Sequence, residues 1–226
     1  MADSADLTLD EMRLVLAPAI VDAAVFDGWS SAAVATAARE HGIDSAVAAL
    51  AFADGPMAII AAWIGSIDGA MEQAFAGNAL SNLTIRERIR RLVSFRLDML
   101  AGREEALTRA LAIMAMPQNA VRALRLGWAS ADRMWYLAGD TATDYNHYTK
   151  RAILAGIYAA TLAVFAHDKS EGKADTQAFL GRRIDGVMRF EKAKAQLLRP
   201  SDQRFSMTRL IGRLRFPATQ SGVRYI

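Results

Sequence analysis

The apolar residues of this 226-residue chain return every three or four positions, and nowhere alternate with the period of two that a half-buried strand requires. That spacing gives each segment one apolar stripe when coiled, which confines the chain to helices packed stripe against stripe. Two capping boxes, Thr8 with Glu11 and Thr84 with Glu87, mark helix starts. In each, the Thr hydroxyl takes an amide of the first turn and the Glu carboxylate reaches back to the cap. An all-α helical bundle is predicted.

The first helix opens at Thr8, with Leu7 stapled onto Met12 and a kink at Pro18, and stops at Phe26-Asp27-Gly28. Ser30 or Ser31 caps a short helix to Glu40, closed by His41-Gly42, and a third covers Ser45–Ala51. Pro56 starts a longer helix to about Ala76, and residues 77–83 form a loop. The Thr84 box opens a helix with Ile85, Ile89, Leu92, Val93, Leu97 and Leu100 on one face. Gly102 ends it, residues 103–116 form the next, and Pro117 begins a helix to about Leu137. After a corner at residues 139–143, a helix from about Asp144 to His167 is apolar almost all round in its second half, which predicts a central, buried element. A polar linker, a helix over 174–198, a break at Arg199-Pro200-Ser201 and a short last helix complete the chain. Three regions result: a helix-turn-helix region over 1–56, a ligand-binding helical domain over 57–198, and a linker with an amphipathic tail over 199–226.

With no cysteine there is neither a disulfide framework nor a thiolate metal site, and three scattered histidines make a poor metal centre. Residues 1–10 hold three Asp and no cation, the wrong opening for a signal peptide. The longest uncharged apolar runs, 57–67 and 152–166, fall short of the roughly 18 residues a membrane span needs. Charge is uneven: residues 169–226 carry 13 Lys/Arg against 5 Asp/Glu, and residues 1–168 carry 14 against 19. An acidic body with a basic end points to an anionic partner reached by the C-terminus.

The three short opening helices, with Gly28-Trp29-Ser30, Ala37-Ala38-Arg39, Gly42-Ile43-Asp44 and Phe52, resemble the N-terminus of TetR-type regulators. A DNA reader needs donors for base edges and cations for phosphates. The recognition position holds only Ser-Ala-Val-Ala-Ala-Leu-Ala, and Arg39 is the sole cation between Gly28 and Pro56. The resemblance implies a TetR-like fold with a degenerate helix-turn-helix and no nucleic-acid partner; a ligand-sensing transcriptional regulator is the alternative.

Further along stand Met134-Trp135, Ala138-Gly139-Asp140, Thr143-Asp144-Tyr145-Asn146 and Tyr148-Thr149-Lys150-Arg151 with Ala152-Ile153-Leu154. Phe179-Leu180, Arg182-Arg183-Ile184 and Met188 come after them. In order and spacing these resemble the ubiquinone-biosynthesis accessory lipid-binding family, the ninth Coq protein. The resemblance implies a TetR-like homodimer, not an enzyme and without a cofactor, that holds a lipid or isoprenoid quinone in an apolar cavity. It further implies a partner, the demethoxyubiquinone hydroxylase, docked on a corner patch of Met134, Asp144, His147 and Tyr148; the family often has tryptophan where this chain has His147. The implied place is the cytoplasmic face of a bacterial inner membrane, or the matrix side in a mitochondrion.

Candidate lining residues are Leu97, Leu100, Leu111, Met114, Trp128, Trp135, Ile153, Ile157, Tyr158 and Phe165, although such residues at helical spacing equally suit solid core. His147 with Asp140, Asp144 and Tyr148 lacks the nucleophile or second histidine that catalysis would need, so His147 reads as an exposed first-turn residue. In the last helix Met207, Leu210, Ile211 and Leu214 share one arc, with Arg204, Arg209, Arg213 and Arg215 on the rest; Phe205 and Phe216 lie off the stripe. Met207, Arg209, Leu210, Ile211, Arg213 and Leu214 are the expected contacts with an anionic membrane, the alternative being a helix docked on the body.

Overall fold

The computed structural model describes residues 7–198 apart from Asn78 and residues 141–144; the side chains of 145, 146, 188 and 190–198 are outside the description. Nine α-helices succeed one another and no strand occurs among the described residues. They are α1 Leu9–Asp27, α2 Ser31–Glu40, α3 Ser45–Ala51, α4 Pro56–Ala74, α5 Ile85–Asp98, α6 Glu104–Met114, α7 Ala120–Leu137, α8 Tyr145–His167 and α9 Ala174–Leu198. Two compact units are present, Met1–Asp185 and Gly186–Ile226, and helices α1 to α8 lie wholly in the first.

Local chemistry sets the helix starts. Both capping boxes form: Thr8 and Thr84 accept from the amides of Glu11 and Glu87, whose carboxylates return to the cap amides at 2.9 and 3.1 Å. Ser30 caps α2 and Asp44 caps α3, while Pro56 is the first residue of α4. Pro18 lies inside α1. Pro117 begins a short 3₁₀ turn, Pro117–Asn119, that leads into α7.

Helix α1 is the axis of the head. Its Leu16, Ala17, Ile20, Val21 and Ala24 are fully buried against α2, α3, α4 and α6. The facing positions are small: Ala33, Ala37, Ala38, Ala48 and Ala51 have no accessible surface. Helices meeting through alanine approach closely and leave little void. Trp29 joins this head to the rest. Its indole N–H donates to the Ala106 carbonyl at 3.1 Å, and its ring lies 5.3 Å from that of Trp63 on α4.

Helices α4 to α8 make the second half of the unit, with α8 lying against α6 and α7. The turn after α7 passes through Gly139 at φ +86°, where a Cβ would stand 3.1 Å from an Arg88 Nη1. Arg88 needs that space, because it donates to the Ala138, Leu83 and Ser81 carbonyls at 2.8, 2.9 and 2.9 Å.

The expectation of an all-round buried α8 is corrected. Leu154, Tyr158, Thr161 and Phe165 are buried, but Ala152, Gly156 and Ala159 are accessible. Residues His147–His167 are also long and apolar enough to cross a membrane, which a reading of the run 152–166 alone underestimates. In the fold this stretch packs against α6 and α7. Beyond α8, the Asp168 carboxylate takes the amides of Ser170 and Thr176, both at 2.8 Å, and both hydroxyls. Lys173 then reaches Glu104 on α6 at 3.0 Å. The polar linker is thus a folded clamp that opens α9.

Candidate functional site

A cavity of about 790 Å³ lies between α4, α5, α6, α7 and α8. That is ample for a drug-sized or lipid ligand, since ligand sites run to roughly 300–1,000 Å³. Its wall is built from Ile60, Trp63, Ile64 and Ile67 of α4, Leu107, Leu111 and Met114 of α6, and Leu124, Leu126 and Trp128 of α7. Helix α8 contributes Ala152, Ala155, Gly156, Tyr158, Ala159 and Leu162. The accessible small residues of α8 are therefore wall positions: where a larger side chain would fill the space, alanine and glycine leave it open. Leu124 lines the cavity and is 74% exposed, so the cavity reaches the surface beside α7.

Of the expected lining residues, Leu100, Leu111, Met114, Trp128 and Tyr158 line this cavity. The other five stand elsewhere. Leu97 and Phe165 are packed core at 1% and 2% exposure, and Ile157 packs against that core. Ile153 is half-buried outside the wall. Trp135 donates its indole N–H to the Lys150 carbonyl at 3.0 Å, with the Lys150 ammonium over its ring. The reason is rotational: at 100° per residue, Ile153 and Ile157 lie a quarter-turn or more from the Ala152-Gly156-Ala159 face.

Three polar residues missed from the sequence complete the wall or back it. Arg96, 1% exposed, pairs through Nη1 with Asp68 and donates from Nη2 to Ser130 Oγ at 3.1 Å. Ser130 donates on to the second Asp68 oxygen at 3.4 Å, and the Tyr158 ring lies 4.9 Å from the guanidinium. Burial pushes the Asp68 carboxyl up from its ordinary value, against the pull of Arg96 and then of Arg133. Burial likewise opposes the Arg96 charge, but Tyr158 and Asp68 outweigh it and hold the guanidinium above its usual range. The signal was present: Ile89, Leu92, Val93, Arg96 and Leu97 make one buried stripe, with a cation where an apolar residue is expected.

The corner between α7 and α8 is an ionic lock. Asp140 takes Lys150 at 2.7 Å and Arg151 at 3.2 Å, and Arg151, 4% exposed, also pairs with Asp132 and donates to the His147 carbonyl. Met134 is corrected here. It is wholly buried, on the inner stripe of α7 with Ser130 and Ala131. His147 is half-buried rather than exposed, its ring edge-on to Tyr148 at 5.1 Å. Tyr148 is 62% exposed and leans on the cavity residue Trp128, with ring centres 6.1 Å apart. Asp144 and the tail residues Met207, Arg209, Leu210, Ile211, Arg213 and Leu214 lie outside the described residues.

The exposed surface of α3 is short of the donors and cations that a DNA reader uses. The exposed residues of α3 include Val47 and Leu50, and Arg39 is engaged with the Ala35 carbonyl and the Thr36 hydroxyl within α2. Among the described residues no group of three or more His, Asp or Glu side chains could hold a metal ion.

An alanine-packed helix-turn-helix ahead of a helical chamber defines a TetR-like all-α protein. A TetR transcriptional regulator from Nitrosomonas europaea shares this fold with a TM-score of 0.59 and 19% identity, covering 78% of this chain and 98% of the regulator. Residues 120–191, which hold the corner and half of the chamber, match the COQ9 family model. It is 36% identical to the mitochondrial ubiquinone biosynthesis protein COQ9 of Rattus norvegicus, over 71% of this chain and 54% of the rat protein. The Homo sapiens protein of that name gives 34%, over 71% and 52%, and that of Drosophila melanogaster 27%, over 86% and 60%. The chain spans about half the length of the curated relatives it matches.

Proposed function

We propose that this protein is a non-enzymatic lipid carrier of ubiquinone biosynthesis. It holds a prenylated quinone intermediate in the chamber and presents it to the demethoxyubiquinone hydroxylase. The observation that carries the reading is a large apolar cavity in a chain whose residues 120–191 match the COQ9 family model. Such a wall suits an isoprenoid tail, since each buried methylene gains about 0.8 kcal/mol without needing a polar partner. The exposed Tyr148, touching the wall through Trp128, supports a docking patch next to the cargo. The arginine-rich tail holds a homodimer on an anionic membrane, at the matrix face in a mitochondrion or the cytoplasmic face in a bacterium. A regulator is the weaker reading, because phosphate contacts supply most of a DNA reader's affinity and α3 has no cation to make them.

Native mass spectrometry of the purified protein tests this. A co-purifying prenylated quinone or quinone precursor is expected. A protein that emerges empty, and takes up no prenylated quinone from vesicles, would overturn the reading. Removal of residues 199–226 is expected to abolish flotation with anionic liposomes while leaving thermal unfolding nearly unchanged; a large stability loss would make the tail part of the core instead.

A further inference from the structure

The chamber opens through a surface of one-sided charge. Residues 106–131, from α6 across the turn into α7, include three arginines and no acidic residue. Arg109 pairs with Glu105, one helical turn back. Arg122 and Arg125 have no ion-pair partner among the described residues. Beside them the turn and the start of α7 present large apolar side chains to solvent: Met116, Val121 and Leu124 are 43%, 62% and 74% exposed. At 100° per residue Leu124, Val121, Arg125 and Arg122 follow one another around the helix, so an apolar strip runs beside a cationic one.

The strip is continuous with the cavity. Ala115, Ala120 and Leu124 are exposed and also line it, whereas Met116 and Val121 stand outside the wall. A long apolar ligand passing here through water would pay for every methylene it wetted. An apolar phase against the mouth removes that cost. A second copy docked face to face is a poor cover, because it would meet Arg122 and Arg125 with the same two cations and no carboxylate. An anionic bilayer suits both strips: acyl chains take the apolar side chains, and phosphates take guanidinium heads whose stems lie along the apolar surface.

We infer that the α6–α7 turn is a second membrane contact, separate from the tail, which seats the cavity mouth on an anionic bilayer. Cargo then passes between membrane and chamber without crossing water. This inference rests on the lipid-carrier reading and adds the place where the carrier loads.

The chain has no cysteine, so Val121→Cys and Phe26→Cys each give the full-length protein a single labelling position, one at the turn and one on the head. An environment-sensitive fluorophore is attached at each, and vesicles of phosphatidylcholine and phosphatidylglycerol are added. The label of Val121→Cys is expected to shift to the blue and to be quenched by nitroxide lipids, and that of Phe26→Cys to stay in water. Arg122→Gln with Arg125→Gln, both at the surface and so without effect on folding, is expected to weaken vesicle binding on the order of tenfold, since each cation close to an anionic surface is worth about fivefold. A Val121→Cys label that stays in water beside the vesicles overturns the contact, whether or not the tail carries the chain to them. A blue shift that needs no vesicles, or that nitroxide lipids leave unquenched, gives the surface to another protein segment and overturns it equally. Uptake of a prenylated quinone from the same vesicles is scored separately. Uptake with the label in water removes the contact and spares the carrier reading; a label in the bilayer without uptake keeps the contact and removes the carrier.

Discussion

Alanine does opposite work in the two halves of this molecule. In the head, Ala33, Ala37, Ala38, Ala48 and Ala51 draw helices together until no accessible surface is left. On α8, Ala152, Ala155, Gly156 and Ala159 border a cavity of about 790 Å³. The difference lies in the neighbours. Opposite the head's alanines stands the complementary apolar face of α1, whereas the small face of α8 borders a cavity whose other walls include Trp63, Leu107, Leu111 and Trp128. A small residue closes a gap only if the backbones are free to approach.

Truncation probes that contrast most sharply. Leu16→Ala in the head is expected to cost about 2–5 kcal/mol in chemical denaturation, because the tight packing cannot collapse into the new hole. Leu111→Ala, which enlarges a space already present, should cost less than about 2 kcal/mol. Equal losses would mean the chamber is as tightly packed as the head. Enlargement sharpens the contrast: Ala37→Leu should cost about 1–3 kcal/mol, and Ala159→Leu within about 0.5 kcal/mol while lowering lipid retention. A stable Ala37→Leu protein would show that the head has slack.

A smaller effect concerns the Asp168 clamp, where hydrogen bonds from Ser170 and Thr176 depress the carboxyl pKa. A depressed folded-state value contributes stability that is full above the ordinary carboxylate pKa of about 4 and is lost progressively as pH falls below it towards the depressed folded value. Asp168→Asn should therefore lower the melting temperature at pH 7 and converge on the parent protein in acid. A gap constant with pH would assign the clamp to hydrogen-bond geometry alone. Smallest in stability is Tyr148→Ala, within about 0.5 kcal/mol for so exposed a ring, but with weaker capture of the hydroxylase. Unaltered capture removes Tyr148 from the docking patch.

The sequence discloses the helix boundaries far better than the chamber. Capping boxes, Pro56 and the Gly28 stop act within a turn of chain, so they are legible without tertiary knowledge. Cavity wall and solid core draw on the same apolar residues: one step of helix rotation separates Tyr158 from Ile157, and Leu100 joins the wall from the turn after α5. Met134, placed in the docking patch by the family resemblance alone, is buried on the inner stripe of α7, which the resemblance does not disclose. Arg96 and Asp68 lie 28 residues apart, and neither looks unusual until the other is found beside it.

Trp29 gives its indole proton to α6 and leans its ring on Trp63 of α4, and both of those helices are chamber walls. The three opening helices are thereby bolted to the container rather than hung from it. A swinging joint would suit a messenger that reports its cargo to another molecule; a rigid one suits a vessel.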